Sequence, residues 1–75
     1  MKFIQMTGKQ LTEIMLPDEV NLDQLRASGV TDDSIVRVNE QGDIEIRRQN
    51  HWDVIGGLLG EFVDRVKRKT GLEFV

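Results

Sequence analysis

The sequence predicts a small α+β domain. In it, two β-hairpins form a mostly antiparallel sheet, and a long C-terminal helix packs on one face of that sheet. Three observations support this fold class: apolar residues alternate in segments 2–16 and 34–48, and they recur at helical spacing across residues 50–70. The predicted order of elements is ββαββα. A chain of 75 residues is enough for one domain with one small hydrophobic core.

The first predicted hairpin pairs a strand at residues 2–6 with a strand at residues 10–16. Thr7, Gly8 and Lys9 between them form a turn signal, because glycine adopts a positive φ without steric cost. Pro17 ends the second of these strands.

A short helix is predicted to follow the first hairpin. Asn21 is its N-cap, and Gln24 three residues later completes a variant of the capping box. Gly29 stops the helix after about two turns. Leu22 and Leu25 are its expected buried contacts.

The second hairpin, over residues 34–48, has the clearest pattern in the chain. The predicted register pairs Val36 with Ile46, Arg37 with Glu45, and Val38 with Ile44. One face of the hairpin is then aliphatic, and the other carries a cross-strand ion pair. The loop at 40–42 matches a type I turn followed by Gly42 in the left-handed conformation.

The last predicted element is a helix over residues 50–70, with Asn50 as N-cap, Asp53 at the third helical position and Gly71 just past the end. Leu72 is expected to fold back on Val66, and residues 72–75 alternate well enough to add a short edge strand. The apolar stripe of this helix comprises Trp52, Ile55, Leu58, Leu59, Phe62, Val63 and Val66. Most of the predicted core is formed by Val36, Val38, Ile44, Ile46, Ile55, Leu58, Leu59, Phe62 and Val66.

Three glycines, Gly56, Gly57 and Gly60, lie inside this predicted helix, where each costs about 1 kcal/mol relative to alanine. Gly56 and Gly60 lie beside Trp52 and Val63 on the helical wheel, so these four residues form a candidate interaction surface. This surface rests either on the domain's own sheet or on a second helix, from a partner or from another copy of the chain. Alternatively, Gly56 and Gly57 break the helix.

Charge is unevenly distributed along the chain, whose net charge is −3. Residues 1–46 hold four basic and nine acidic side chains, whereas residues 47–75 hold six basic and four acidic ones. An alternative phosphate-binding surface would use Arg47, Arg48, Arg65, Lys67, Arg68 and Lys69. The simpler interpretation is that the cations near residue 70 stabilise the helix C-terminus. Nucleic acid is therefore not the expected partner.

The residue types needed for chemistry are sparse. The chain has no cysteine, His51 is its single histidine, and the Asp32-Asp33-Ser34 sequence has the composition of a turn. We therefore expect no enzymatic activity, no cofactor, no metal and no membrane segment, and a cytoplasmic location. The expected function is a non-enzymatic interaction module that binds a protein partner or forms a homodimer.

The order of strand, Thr7-Gly8-Lys9 turn, strand and short helix, followed by residues 29–33 before another strand, resembles the start of the ubiquitin-like β-grasp fold. The resemblance covers at most residues 1–46 and implies an N-terminal β-hairpin. The chain ends in Leu72-Glu73-Phe74-Val75 instead of the diglycine that conjugation and sulfur-carrier members use. The resemblance therefore implies the N-terminal part of a fold and does not imply a function.

Overall fold

The structure, a computed structural model, describes residues 1–16 and 22–75. The elements in chain order are β1 (Phe3–Thr7), α1 (Gly8–Ile14), α2 (Leu22–Ala27), β2 (Ile35–Asn39), β3 (Asp43–Arg47), β4 (Trp52–Gly57) and α3 (Phe62–Thr70). The strands form one antiparallel sheet in the order β1-β2-β3-β4. The predicted α+β class, with an antiparallel sheet and a C-terminal helix, is confirmed. The element order is βααβββα, so the predicted order ββαββα is only approximate.

The predicted strand at residues 10–16 is wrong, because this segment forms helix α1. The cause is a capping box that begins one residue before the predicted turn. The Thr7 hydroxyl accepts the Gln10 N–H at 3.1 Å, and the Gln10 side-chain oxygen accepts the Thr7 N–H at 3.0 Å. Leu11 and Ile14, one helical turn apart, are both buried. The N-terminal hairpin implied by the β-grasp resemblance is therefore absent.

Helix α1 begins against the loop that precedes β2. The Gly8 N–H donates to the Ser34 carbonyl at 2.9 Å, and the Lys9 N–H donates to the Asp32 carbonyl at 3.2 Å. A Cβ on Gly8 would overlap the Thr31 carbonyl oxygen. These contacts fix the direction in which the chain leaves β1.

Helix α2 ends as the sequence predicts. Gly29 has a φ of 93°, and the Val30 N–H donates to the Leu25 carbonyl at 3.0 Å. Leu25 is buried as expected, whereas Leu22 is exposed, so its predicted burial is wrong. The predicted N-cap Asn21, like Pro17, lies outside the described residues.

The hairpin of β2 and β3 has the predicted register, with Val36 opposite Ile46, Arg37 opposite Glu45 and Val38 opposite Ile44. Gly42 has a φ of 91°, as its turn requires. The Asn39 side-chain oxygen accepts the N–H groups of Gln41 and Asp43 at 2.9 and 3.0 Å, which closes the loop.

The predicted helix over residues 50–70 is wrong in its first half. Trp52–Gly57 is strand β4, which pairs with the second edge of β3, and only Phe62–Thr70 is helical. The turn before β4 closes through a 2.8 Å bond from the Arg48 N–H to the His51 carbonyl, so Asn50 caps no helix. Adjacent glycines and β-branched residues have low helix propensity, and pairing with β3 satisfies the backbone of this segment instead.

Helix α3 ends at Gly71, which has a φ of 70° and donates its N–H to the Lys67 carbonyl at 2.8 Å. This end is as predicted. Leu72 is exposed rather than folded into the core. Val75 and Phe3 exchange two backbone hydrogen bonds of 3.0 Å, so the predicted edge pairing of residues 72–75 exists at one residue pair.

The core lies between one face of the sheet and the helices. Of the predicted core, Leu59 is exposed and Ile55 is partly buried against the core, while the other seven residues are buried. The core also includes Leu25, which was expected to be buried, and further buried residues outside the nine: Ile4, Met6, Leu11, Ile14 and Val30. Most of these further residues come from β1 and α1, which contribute none of the nine.

Candidate interaction surface

One face of the sheet is packed and the other is not. Ile4, Val36 and Ile44 belong, with the buried residues of all three helices, to the core cluster on one face. Among the described residues, no second layer covers the other face, which we call the open face. The residues of the open face form three rows, each running from β1 to β4, when the β2–β3 register is extended by one residue at each end. The first row is Thr7, Ile35, Arg47 and Trp52. The second row is Gln5, Arg37, Glu45 and Val54, and the third row is Phe3, Asn39, Asp43 and Gly57.

Arg37 is the centre of the open face. Its Nη2 donates to Glu45 Oε1 at 3.0 Å, and its guanidinium carbon lies 3.7 Å from the centroid of the Phe3 ring. The same carbon lies 4.2 Å from the centroid of the Trp52 ring. The cation is therefore held between two aromatic rings on a diagonal that joins β1 to β4. Each such cation–π contact contributes about 0.5–2 kcal/mol, more as the site becomes drier.

The ion pair at this centre is already shielded in the isolated chain. The Glu45 side chain is 11% exposed and the Arg37 side chain 24% exposed, although both lie on the face of the sheet opposite the described helices. Shielding strengthens a charge-assisted hydrogen bond and fixes the position of both side chains. The open face thus has a rigid polar centre.

The rim of the open face is partly apolar and solvent-exposed. Val54 on β4 is 62% exposed and Ile35 on β2 is 42% exposed, while Phe3 and Trp52 are half-buried. Tryptophan, phenylalanine and arginine are the residue types that dominate the energetics of protein interfaces. The composition of the open face therefore resembles that of an interface.

Arg47 differs from Arg37 in having no acidic partner. It is exposed, it forms no ion pair within residues 1–16 and 22–75, and its guanidinium carbon lies 5.8 Å from the centroid of the Trp52 ring. Asp43, at the other end of β3, accepts a 3.0 Å hydrogen bond from the Asn39 amide. One end of β3 thus presents an unpaired cation and the other an acid.

The four residues predicted as an interaction surface are not brought together on one helix. Trp52 is on the open face, and Val63 is on α3 in the opposite layer. Gly56 pairs with Ile44 of β3 next to an irregularity in the register. Gly60 is in the loop before α3 with a φ of 65°, and a Cβ added to it would have no atom within 4 Å. The predicted glycine shelf is therefore replaced by a surface that contains only Trp52 from the original set.

The six basic residues of the alternative site are also dispersed. Arg47 is on the open face, and Arg48 donates two hydrogen bonds, of 3.0 and 3.2 Å, to Asp53 Oδ2. Lys67 pairs with Glu73 at 3.2 Å. The three that remain together, Arg65, Arg68 and Lys69, line a shallow pocket of about 340 Å³ on α3. The six basic residues of the alternative site therefore do not form one continuous basic surface.

The other polar residues singled out in the sequence have structural positions. Asp32 and Asp33 are exposed in a turn, in which the Ser34 hydroxyl accepts the Thr31 N–H at 2.8 Å. His51 is exposed in the turn between β3 and β4. Within the part of the chain that the structure describes, no three His, Cys, Asp or Glu residues lie close enough to hold a metal ion.

A second concavity, of about 480 Å³, lies between α1, α2 and the loop at 29–32. Leu22, Leu25 and Val30 supply its apolar lining, and Arg26 and Asp32 are its charged residues. Among the described residues that line it, none is aromatic and none belongs to a buried charged pair. The open face is therefore the stronger candidate site.

Part of the open face is visible in the sequence. The cross-strand pair of Arg37 and Glu45 follows from the alternation of β2 and β3. Phe3, Ile35 and Val54 were missed, because assigning them to this face requires the sheet order and the strand character of β4. A helical interpretation of Trp52 hides its position opposite Arg47.

Comparisons of this chain with protein-family models, curated proteins and solved structures gave no match. Among the helices that the structure describes, none has the length and apolar character needed to cross a bilayer.

Proposed function

We propose that this chain is a non-enzymatic protein-interaction module and that the open face is its binding surface. The observation that carries the proposal is Arg37, which is held between Phe3 and Trp52 and bonded to Glu45 on a sheet face that no other described part of the chain covers. Such a centre is ordered before any partner arrives. Binding then requires little loss of side-chain entropy, which is one of the main costs of association.

Electrostatics at the centre also favour burial under a partner. Removing an isolated charge from water is costly, whereas a charge that already has a bonded counter-ion and two aromatic neighbours has lost part of its hydration. Glu45 and Arg37 are in that state before binding. A partner that covers them would add contacts with a reduced desolvation penalty.

A purely structural role for the cluster is the simpler interpretation, since it ties β1, β2 and β4 together. Two features of the open face are not explained by a role in holding the strands together. Val54 is 62% exposed and Ile35 is 42% exposed, and Arg47 forms no ion pair with any residue that the structure describes. Arginine and aromatic residues are enriched at protein interfaces, and a partner on this face would also cover the exposed apolar surface of Val54 and Ile35.

The test is site-specific photo-crosslinking in cells of the organism that encodes the chain. A photoreactive residue at Val54 or at Ile35 should give discrete adducts that disappear with an excess of unlabelled chain. The matched control is Glu13, which is exposed on α1. Equal labelling from Glu13, or no competable adduct from either position on the open face, would contradict the proposal.

The nucleic-acid alternative has less support, because its six basic residues are dispersed and the chain is acidic overall. Non-specific affinity for nucleic acid rises with the number of phosphates that are neutralised. We therefore expect no binding of generic DNA or RNA at low salt in a gel-shift assay. The cytoplasmic location stays a proposal, which fractionation of the expressing cells would test.

A further inference from the structure

We infer that residues 72–75, which we call the strap, are a displaceable cover that keeps the outer edge of β1 closed to strands of other chains. The edge strand of a sheet carries unpaired N–H and C=O groups, and these groups pair readily with another chain. The edge of β1 is separate from the open face, so the inference goes beyond the proposed function and does not depend on it.

The outer edge of β1 is closed at both ends by different parts of the chain. Phe3 exchanges two backbone hydrogen bonds of 3.0 Å with Val75 of the strap, so its N–H and C=O point away from β2. Direction alternates along an antiparallel strand, so the same groups of Gln5 and Thr7 point to this edge. The Thr7 N–H is bonded to the side-chain oxygen of Gln10 at 3.0 Å. Only the backbone of Gln5 is left between the two closures without a bond on this edge to any described residue.

The sequence of β1 explains why its edge needs a cover. Residues 3–8 (FIQMTG) contain no charged residue and no proline. Uncharged six-residue segments of high β-propensity pair with copies of themselves when they are exposed at an edge. Lys2 and Lys9 flank the segment, but neither lies in the strand. The strand itself therefore has no charge that would keep another strand away.

The opposite edge of the sheet is protected by its own sequence instead. Strand β4 contains Asp53, and its register with β3 is irregular between Ile44 and Glu45. Charged residues and bulges are among the devices that discourage pairing at an edge. Strand β4 also ends in the adjacent glycines Gly56 and Gly57, which have low β-propensity. The two edges of the sheet are thus protected in different ways, β4 by its composition and β1 by the strap.

The contacts that hold the strap are few. Phe74 is partly buried against the core, and Val75 makes the two hydrogen bonds with Phe3. The ion pair between Lys67 and Glu73, at 3.2 Å, is exposed and therefore contributes little. A segment with so few buried contacts opens locally without unfolding of the domain. The strap can therefore leave the edge of β1 while the sheet stays intact.

Hydrogen exchange followed by NMR tests whether the strap is closed in solution. The Phe3 and Gln5 amides point to the same edge, but only Phe3 is bonded to the strap. After correction for intrinsic rates, we expect the Phe3 amide of the wild type to exchange at least about 10-fold more slowly than the Gln5 amide. Val75→Pro, which removes the N–H that bonds to Phe3, should bring the two rates within about 3-fold of each other. Val75→Ala keeps that N–H and is the matched control.

Association of the opened chain is the second measurement. At equal concentrations, Val75→Pro should bind thioflavin T after a lag at least about 3-fold shorter than that of the wild type or of Val75→Ala, because an open edge leads to cross-β assembly. Adding Gln5→Pro to Val75→Pro should restore the long lag. The Gln5 N–H points away from β2, so proline there removes the outer donor and no ladder bond. If the Gln5→Pro chain does not fold, Gln5→Lys replaces it and puts a charge on the edge strand.

Lowered stability by itself also speeds association, and Gly60→Ala controls for this effect. Its backbone strain lies in the loop before α3 and leaves the strap in place, so it should shorten the lag less than Val75→Pro does. The inference is overturned by a Phe3 amide that exchanges as fast as the Gln5 amide, or by a Val75→Pro lag no shorter than that of Val75→Ala or Gly60→Ala. It is also overturned if neither substitution at Gln5 slows the association of Val75→Pro, because pairing would then occur elsewhere. Crosslinks from Val54 are unaffected by all of these results, so the proposed function fails separately.

Discussion

The guanidinium carbon of Arg37 lies 4.2 Å from the centroid of the Trp52 ring, although the two residues belong to strands that are not adjacent. The Arg37 side chain crosses over β3 to reach β4, and on the way it bonds to Glu45. An edge strand is thereby held by a side chain from two strands away as well as by its backbone ladder. The stability of β4 and the order of the open face are therefore linked.

Arg37→Met should lower the free energy of unfolding by about 2–4 kcal/mol, because it removes one charge-assisted hydrogen bond and two cation–π contacts and leaves Glu45 unpaired. Arg37→Lys keeps the charge and loses the planar stacking, so its cost should be smaller. Urea unfolding followed by Trp52 fluorescence measures both. Equal stability of Arg37→Met and the wild type would show that the cluster contributes nothing to folding.

Thr7→Ala should destabilise the domain by about 1 kcal/mol, because the hydroxyl that caps α1 is lost. Thr7→Ser keeps the hydroxyl and is the matched control, with an expected change of a few tenths of a kcal/mol. Thermal unfolding followed by circular dichroism separates the two. If both variants were equally destabilised, the methyl group of Thr7, and not the cap, would be the stabilising feature.

The parts of the fold that local sequence determines were predictable. The register of β2 and β3 follows from alternation and from a turn that needs Gly42, and the end of α3 follows from Gly71. The strand predicted at residues 10–16 is wrong, although the local sequence also contains a signal for the helix that forms there. Thr7 and Gln10 satisfy the capping-box pattern, but Gly8 between them also signals a turn, and the local pattern alone does not decide between the two.

Tertiary structure decided the elements that the sequence left open. The apolar residues from Trp52 to Val66 keep helical phase by coincidence, because strand β4 ends at Gly57 and helix α3 begins only at Phe62. The pairing of β4 with β3 is non-local information that no helical wheel contains. The open face was missed for the same reason, since Phe3 and Trp52 lie on opposite edge strands.

Gly42→Ala should lower the free energy of unfolding by about 2 kcal/mol or more, because a non-glycine residue at a left-handed φ is strained and the new methyl group would clash. The added Cβ would lie 2.7 Å from the Leu58 carbonyl oxygen, while the Leu58 N–H donates to the Gly42 carbonyl at 2.7 Å. The turn and the chain after β4 would have to separate. Chemical denaturation measures the loss, and a change below about 0.5 kcal/mol would mean that this contact adjusts freely.

Gly57 and Gly60 provide a matched pair for the role of glycine near β4. Gly60→Ala should destabilise by about 1 kcal/mol through backbone strain alone, because its φ is 65° and no atom lies within 4 Å of the added Cβ. Gly60→Asn should recover part of that loss, since asparagine tolerates the left-handed region.

Gly57→Ala should be neutral or slightly stabilising in dilute solution, where the described residue nearest to its Cβ would be Gly42, with the carbonyl oxygen at 3.8 Å. Unfolding curves at low micromolar concentration compare the three variants without contributions from self-association. A strongly destabilised Gly57→Ala, or a Gly60→Ala as stable as the wild type, would contradict the backbone conformations assigned to these two positions.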